Sequence, residues 1–581
     1  MADNLKGKRY KDFWKEIEHV RTHNKVFPQK IDDIVDTKEI CEVFSNKYKK
    51  ILAKQMIQST FQFRRLNISG KDKMQVLLRF SVHDIRKAIN NLNTGIGFDG
   101  IHSNHLKMGP EICNEFLSML FFSFIIHSYI PLSMLHGVIS PIIKDNFGNL
   151  SCSDNYRPIM SSSVLLKLFE YCLLDRISPL ISLNDRQHGF RYGHSTATAC
   201  LILKETIMHY RNGNSDVYAC FVDISKAFDS VNHDILMQKL VNYGIPLVYV
   251  NLINYWYNNQ FVNVRYGSHV SSEWQIKNGV RQGGVLSSLF FSIYIDMLLE
   301  NISELGVGCQ LGILSSNIIA YADDIVLLSP SAAGLQKLIN KAYSEALAID
   351  LHFNYKKTKC IVFKSGSLKN ENKNIQPFTI DNHKIDFVNS FRYLGYMISG
   401  NLSSNDDITR ARNKFYAQFN MVLRNFHFSD IYVQMFLFRQ FCLQIYGCEL
   451  WFGGSYSTTL LKDFAVGYHK AVKKILKLSY HESNHYACQE AQVFTFKHFI
   501  HKCKITAALR VLNRPCNFIQ KILGFFKVSS KFLQDVYCIL NDFYNIDSLL
   551  YNDIQAIISR ISFIQNHESQ MREPLTIDVN S

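Results

Sequence analysis

None of the 14 cysteines in this 581-residue chain stands in a C-x-x-C pair, and they are scattered rather than clustered. In a chain of this length that excludes a disulfide scaffold and points to reduced, intracellular thiols. His481, His485 and Cys488 in "HESNHYACQE" come nearest to zinc-ligand spacing, with His498, His501 and Cys503 further on. No fourth ligand completes that set, and satisfied histidines are the plainer reading. The leading "MADNLKGKRYKDFWKEIEHV" has no apolar core of the kind a secretory signal needs. Long apolar runs are missing too. The greasiest, "FLSMLFFSFIIHSYIP" at residues 116–131, is too short to span a bilayer and reads as a buried core helix. Repeats and low-complexity tracts are absent. Acidic residues are scarce: 49 Asp and Glu stand against 64 Lys and Arg, for a net charge of +15. That deficit favours a polyanionic partner, nucleic acid before membrane. The hydrophobic content of 47% and charged content of 19% are those of a globular chain of several subdomains.

Residues 1–75 alternate charged and apolar positions and predict a basic, helical lead-in. "SVHDIRKAINNL" then carries a helix start, with Ser81 and Asp84 spaced as a capping box and Ile85, Ala88, Ile89 and Leu92 on one face. "YACFVDI" at residues 218–224 reads as a short apolar strand giving way to a polar, helix-compatible stretch closed by Gly244. "NGVRQGGVLSSLFFSIYIDMLLEN" is a glycine-rich loop entering a helix, whose Leu286, Phe290, Ile293 and Met297 are expected in the core. "FRYLGYMISGN" is a strand-turn-strand candidate, and "KSGSLKNENKN" at residues 364–374 an exposed hairpin loop. Beyond about residue 401, amphipathic helices with basic faces such as "GYHKAVKKILKLS" take over.

The segment "NIIAYADDIVLLS" sets Asp323 and Asp324 side by side in an apolar run. Buried ionised carboxylates are unfavourable unless something compensates them. At a hairpin turn both can approach one locus. A divalent cation would neutralise them, and phosphoryl transfer is the chemistry that most often uses such a pair, with two Mg²⁺ ions roughly 3.5–4 Å apart. Mg²⁺ is held by few carboxylates together with substrate phosphates, so a third acid from elsewhere is expected. Asp223, at the end of the "YACFVDI" strand, fits.

Together these segments resemble the reverse transcriptases of non-LTR (LINE-type, jockey-like) retrotransposons. "YADDIVLLS" resembles the catalytic hairpin, "FVDISKAFDSVNHDIL" the first catalytic strand, and "GVRQGGVLSSLFFSIYI" the template-and-nucleotide loop. "DNYRPIMSSSVLLKLFEYCLLDRI" and "QHGFRYGHSTATA" resemble fingers segments, "LHFNYKKTKCIVF" and "FRYLGYMIS" later palm motifs, and "YGCELWFGG" the thumb region. They follow family order over roughly residues 80–480.

The resemblance implies an α+β, right-hand polymerase fold: fingers, a palm with an antiparallel sheet, and a helical thumb, with helical N- and C-terminal extensions. The implied divisions are 1–75 for the lead-in, 76–365 for fingers and palm, and 366–400 for the palm end with its primer-grip hairpin. Residues 401–515 would form the thumb-like region and 516–581 a helical extension. Asp223, Asp323 and Asp324 would hold the metals, two Mg²⁺ ions with Mn²⁺ able to replace them. Phe228 would be the steric gate that crowds a ribose 2′-OH and so favours deoxynucleotides. Gln282 and Gly283 would pack against the incoming nucleotide and template base, with glycine allowing close backbone approach. Arg157 in "NYRPI" would meet the triphosphate, and Lys357 or Lys359 the leaving pyrophosphate.

The chain departs from the family pattern at Arg281, where many relatives have Pro, at Gly284, where many have Ser, and at Ser288, where Pro is common. Ile96 and Phe98 stand where relatives often carry Lys and Pro.

The implied partners are an RNA template, a DNA primer or target, and dNTPs, with no membrane; the sequence sets no oligomeric state. The implied location is intracellular, in nucleus or cytoplasm. Only about 75 residues precede the first fingers motif, fewer than an endonuclease domain needs, so a polymerase-only or 5′-truncated product is expected. No RNase H-like acidic set follows the thumb. Two alternatives stand beside this reading: a decayed or co-opted, non-catalytic RNA-binding protein, and a group II intron-type reverse transcriptase with maturase function. A viral RNA-dependent RNA polymerase fits less well, because Phe228 sits where a ribose must be admitted.

Overall fold

A computed structural model describes residues 1–22, 28, 30–54, 79–145, 148–365, 376–452, 455–512, 517–526 and 530–544. Most of the loop expected at residues 364–374, and the end of the C-terminal extension, lie outside the described residues.

The lead-in forms helices α1 (Tyr10–Thr22) and α2 (Thr37–Leu52). Helix α3 (Val82–Asn91) begins at the expected capping box: Ser81 Oγ accepts from Asp84 N at 3.1 Å and Asp84 Oδ2 from Ser81 N at 2.9 Å. Helix α4 (Ile112–His127) follows, then strands β1 (His136–Ile143) and β2 (Tyr156–Ser162). Next come α5 (Val164–Ile177), α6 (Thr196–Asn212) and strand β3 (Val217–Val222). Helices α7 (His233–Asn242) and α8 (Leu247–Asn258) lead to β4 (Phe261–Tyr266) and α9 (Ser287–Ser303). The expected Asp-Asp hairpin is β5 (Ile318–Tyr321) and β6 (Asp324–Ser329), followed by α10 (Ala332–Ala348) and β7 (Lys359–Phe363). The second expected hairpin is β8 (Ser390–Tyr393) and β9 (Tyr396–Ser399). After it come α11 (Asn405–Phe426), α12 (Ile431–Phe441), α13 (Thr458–Ile475), α14 (Phe496–Leu512), α15 (Asn517–Phe526) and α16 (Lys531–Tyr544).

Two sheets organise the chain. One pairs β2 antiparallel and β4 parallel with β1, and α2 packs on it through Ile40, Phe44 and Tyr48. The other runs β7-β3-β6-β5, every one of these neighbours antiparallel. Period-two alternation gives β3 two buried faces. Cys220 and Val222 enter the core shared with α5, α7, α8, α9 and α10, whereas Ala219 and Phe221 enter the core shared with α6, α14 and the β8–β9 hairpin. A third core joins α11, α12 and α13, and α1 docks there, Phe13 lying edge-on to Phe436 at 5.3 Å. The expected α+β class is what folds.

Two sequence expectations need correction. The run at 116–131 is not buried all round: Leu117, Phe121, Phe124 and Ile125 face the core, while Phe116 is 64% and Met119 54% exposed. On the helix that opens after the glycine-rich loop, Leu286, Phe290 and Ile293 are buried, but Met297 points to solvent. In both cases the helix is apolar around more of its circumference than its neighbours cover. No helix among the described residues is long and apolar enough to cross a membrane.

Candidate active site

Register brings the three carboxylates together. The β3–β6 ladder ends with Val222 opposite Ile325, so one step further Asp223 faces Asp324. Tyr321 pairs with Asp324, leaving Ala322 and Asp323 as a two-residue turn. Asp223 and Asp323 are half-buried and Asp324 reaches solvent, a correction to the expectation of buried acids. Burial raises the pKa of Asp223, and Lys357 opposes that rise. Burial and the neighbouring charge of Asp223 raise Asp323, which Arg157 partly offsets. Crowded by neighbouring chain, Asp324 is pushed up to about 6 by burial and by the charges of Asp323 and Asp223.

Among the described residues no three His, Cys, Asp or Glu side chains converge closely enough to hold a metal ion by themselves, here or at His481, His485 and Cys488. An open, all-oxygen set of mutually repelling carboxylates nevertheless fits a hard divalent cation that completes its shell with substrate oxygens.

The other sequence candidates divide. Phe228 is half-buried, stacked on Phe291 with ring centres 4.6 Å apart and planes 14° from parallel. Gln282 and Gly283 sit in the loop that opens α9, Gly283 at φ +110. Arg157 is exposed on β2 close enough to lower the pKa of Asp323, and Lys357 does the same for Asp223. Lys359, two residues on, turns instead to Asp386 at 2.6 Å.

Several residues at this locus escaped the sequence reading. Asp229 is buried, its carboxylate accepts from Gln282 Nε2 at 2.7 Å, and burial pushes its pKa up to about 6. The quoted "AFDSVNH" carried a signal, a carboxylate adjoining the aromatic Phe228. Lys144, whose pKa is lowered by burial and by Lys47, Lys357 and Arg157, completes a cationic rim. Glu170 of α5 pairs with Arg281 and accepts Val285 N at 2.6 Å. Gln187 binds the Ala322 turn.

His233 ties down Gly279, just ahead of the Gln282–Gly283 loop. It is buried, its Nε2 lies 2.9 Å from the Gly279 carbonyl, and burial lowers its pKa to about 4. Because the folded state disfavours the imidazolium, His233 contributes full stability above its unfolded pKa near 6.5, and that contribution is lost as pH falls toward 4. Its share of the loss by pH 5 is about 2 kcal/mol. Asp229 has the opposite sign, its contribution being lost as pH rises through about 6. Urea unfolding of the parent and of His233→Gln between pH 7 and pH 4.5 isolates the histidine. The gap between them should narrow on acidification, and a gap independent of pH refutes the assignment.

Residues 142–398 match the family described as reverse transcriptase (RNA-dependent DNA polymerase). The chain is 30% identical over 200 residues to a Pol polyprotein from the Drosophila melanogaster type-2 retrotransposable element R2DM, covering 34% of this chain and 19% of that protein. It is 25% identical over 375 residues to the probable RNA-directed DNA polymerase from transposon X-element of the same fly, covering 62% and 40%. Against the RNA-directed DNA polymerase from mobile element jockey of Drosophila funebris it is 25% identical over 331 residues, covering 55% and 35%. The chain thus spans less than half the length of these relatives. Among solved structures, telomerase from Candida albicans aligns over 76% of this chain and 68% of its own at 11% identity and a TM-score of 0.36, a loose likeness of outline.

Proposed function

We propose that the chain, whose residues 142–398 match the reverse transcriptase family, is an RNA-directed DNA polymerase of a non-LTR retrotransposon. It extends a DNA primer or nicked target on an RNA template with dNTPs. The observation that carries the proposal is the register placing Asp223 opposite Asp324, with Asp323 in the turn beside them. The primer 3′-hydroxyl gives its proton to water as its oxygen bonds to the α-phosphorus of the dNTP, and the bond from that phosphorus to the pyrophosphate oxygen breaks. Reverse transcriptases use divalent metal ions; here Asp223, Asp323 and Asp324 would hold two Mg²⁺, or Mn²⁺, which when bound activate the attacking oxygen and neutralise the leaving one.

The chain's own groups do the rest. Arg157, Lys357 and Lys144 gather the triphosphate charge at the rim. Phe228, its plane fixed by Phe291, leaves a deoxyribose room and crowds a 2′-OH. Gln282 and Gly283 pack beside the new base pair, close backbone approach being possible at glycine. Exposed Lys414 and Arg424 on α11 and Lys462, Lys470 and Lys474 on α13 offer cations to a duplex backbone, independent of sequence. The proposal includes a reducing intracellular compartment, nucleus or cytoplasm, in keeping with the free thiols of the described cysteines, buried Cys220 and Cys360 among them.

The test is primer extension on an RNA template with a DNA primer, Mg²⁺ and dNTPs, repeated with a chelator and with rNTPs. Extension with dNTPs that stops on chelation and is weak with rNTPs supports the proposal. Hybrid binding without extension replaces it with a binding-only function.

A further inference from the structure

The turn that carries Asp323 is under strain. Ala322 has φ +56, a left-handed conformation that an alanine adopts only when its surroundings insist. A glycine would sit there without penalty. What holds the alanine comes from a distant part of the chain. The segment at residues 186–188 joins β5 through one parallel bridge, Gln187 opposite Ala320: Ala320 N donates to the Arg186 carbonyl at 2.9 Å and His188 N to the Ala320 carbonyl at 2.7 Å. Between them, Gln187 is 0% exposed. Its Oε1 accepts from Ala322 N at 2.8 Å and from Gly189 N at 2.8 Å, and its Nε2 donates to the Ala322 carbonyl at 3.4 Å. One carboxamide thus meets both backbone groups of the strained residue. The contact is tight enough to need glycine next to it, for a Cβ at Gly189 would come 2.4 Å from Ala322 N.

Left-handed φ at Ala322 decides where the chain goes next, and so where the carboxylates of Asp323 and Asp324 stand relative to Asp223. Without the clamp the turn would relax toward ordinary φ, and the buried Ala322 N–H would lose its acceptor. Resting on the polymerase reading above, we infer that Gln187 is the positioning residue of the catalytic turn: its carboxamide holds Ala322 left-handed and thereby presets the carboxylates before metal or nucleotide arrives. Gln187 touches no substrate. It acts through Ala322.

Three variants test this: Gln187→Met, which keeps volume and removes the hydrogen bonds, Ala322→Gly, and the two combined. The readouts are hydrogen exchange of the Ala322 amide, single-nucleotide extension across a dNTP titration, and binding of the RNA–DNA hybrid. In Gln187→Met the Ala322 amide should exchange about tenfold faster. The value of kcat should fall by about 10²-fold, the scale of a misplaced reacting group, while KM for dNTP and hybrid affinity stay within about twofold. Adding Ala322→Gly should recover about tenfold of the lost kcat, because glycine adopts the required φ unaided. Simple packing damage gives no such rescue. Parent-like exchange in Gln187→Met, or loss of kcat that Ala322→Gly fails to relieve, overturns the inference. Should Gln187→Met not fold, Gln187→Glu, which keeps the acceptor oxygen, must retain slow Ala322 exchange, and fast exchange there overturns it equally. If the parent itself does not extend primers, the polymerase reading fails, whereas amide exchange still decides whether Gln187 holds the turn.

Discussion

Replacing Asp323 by Asn lowers single-nucleotide extension on the order of 10³-fold or more, while affinity for an RNA–DNA hybrid stays within a few-fold. The side chain keeps its size, so the turn and the Gln187 clamp are undisturbed; what goes is one negative charge from a set of three. Asp323 occupies the central position electrostatically. It feels Asp223 on one side and Arg157 on the other, and its own charge acts on Asp324. An amide in its place offers a cation one neutral oxygen, and the several kcal/mol that metal charge contributes in the transition state amount to three or more factors of ten. In the proposed function the exposed cations of α11 and α13, not Asp323, hold the hybrid, so its binding should retain its salt dependence. Removing one mutually repelling acid also relieves strain, so Asp323→Asn should unfold no earlier than the parent. Steady-state extension, filter binding at two salt concentrations and a thermal melt separate these outcomes. Extension within tenfold of the parent would remove Asp323 from the metal-holding set.

The Asp-Asp hairpin was legible because a local pattern specifies it: two short apolar strands around polar residues that the core rejects. Asp223 could be named from its strand end, but not its placement opposite Asp324, which depends on the register of two strands some hundred residues apart. The choice between Lys357 and Lys359 was closed to sequence for a similar reason. Lys359 opens β7 and its neighbour across the sheet, Asp386, takes it, whereas Lys357 lies just before the strand and stays by Asp223. Gln187 and Glu170 were invisible because their partners, Ala322 and Arg281, are more than a hundred residues away and each looks unremarkable in its own segment. The run at 116–131 misled in the opposite sense. Its composition, apolar on every side, cannot say how many neighbours the fold will supply.

Glu170→Ala should destabilise the chain by about 3–5 kcal/mol, the range for breaking a buried ion pair by removing one partner. Arg281 was a departure from the family pattern, and the structure supplies its compensation. Its side chain is 4% exposed and that of Glu170 2%, and the guanidinium lies over the Trp256 ring at 4.6 Å. One carboxylate oxygen meets the guanidinium and the other takes the Val285 amide at 2.6 Å. Alanine at 170 therefore strands a buried cation and orphans a backbone donor in one step. The damage falls on the loop of Gln282 and Gly283, which is otherwise tied by Met160 N to the Gln282 carbonyl at 3.0 Å and by Asp229 to the Gln282 side chain. KM for dNTP should therefore rise, as expected for a loop that no longer presents a formed surface to the base pair. Arg281→Met combined with Glu170→Leu provides the control. With both charges gone and the volume kept, stability should return to within about 1–2 kcal/mol of the parent, while KM should recover only in part, since Val285 N still lacks its acceptor. Urea unfolding of the parent, Glu170→Ala and the double variant measures the first quantity, and dNTP titration in the extension assay the second. A double variant as unstable as Glu170→Ala would mean that the loop depends on the ion pair itself rather than on freedom from an unpaired buried charge.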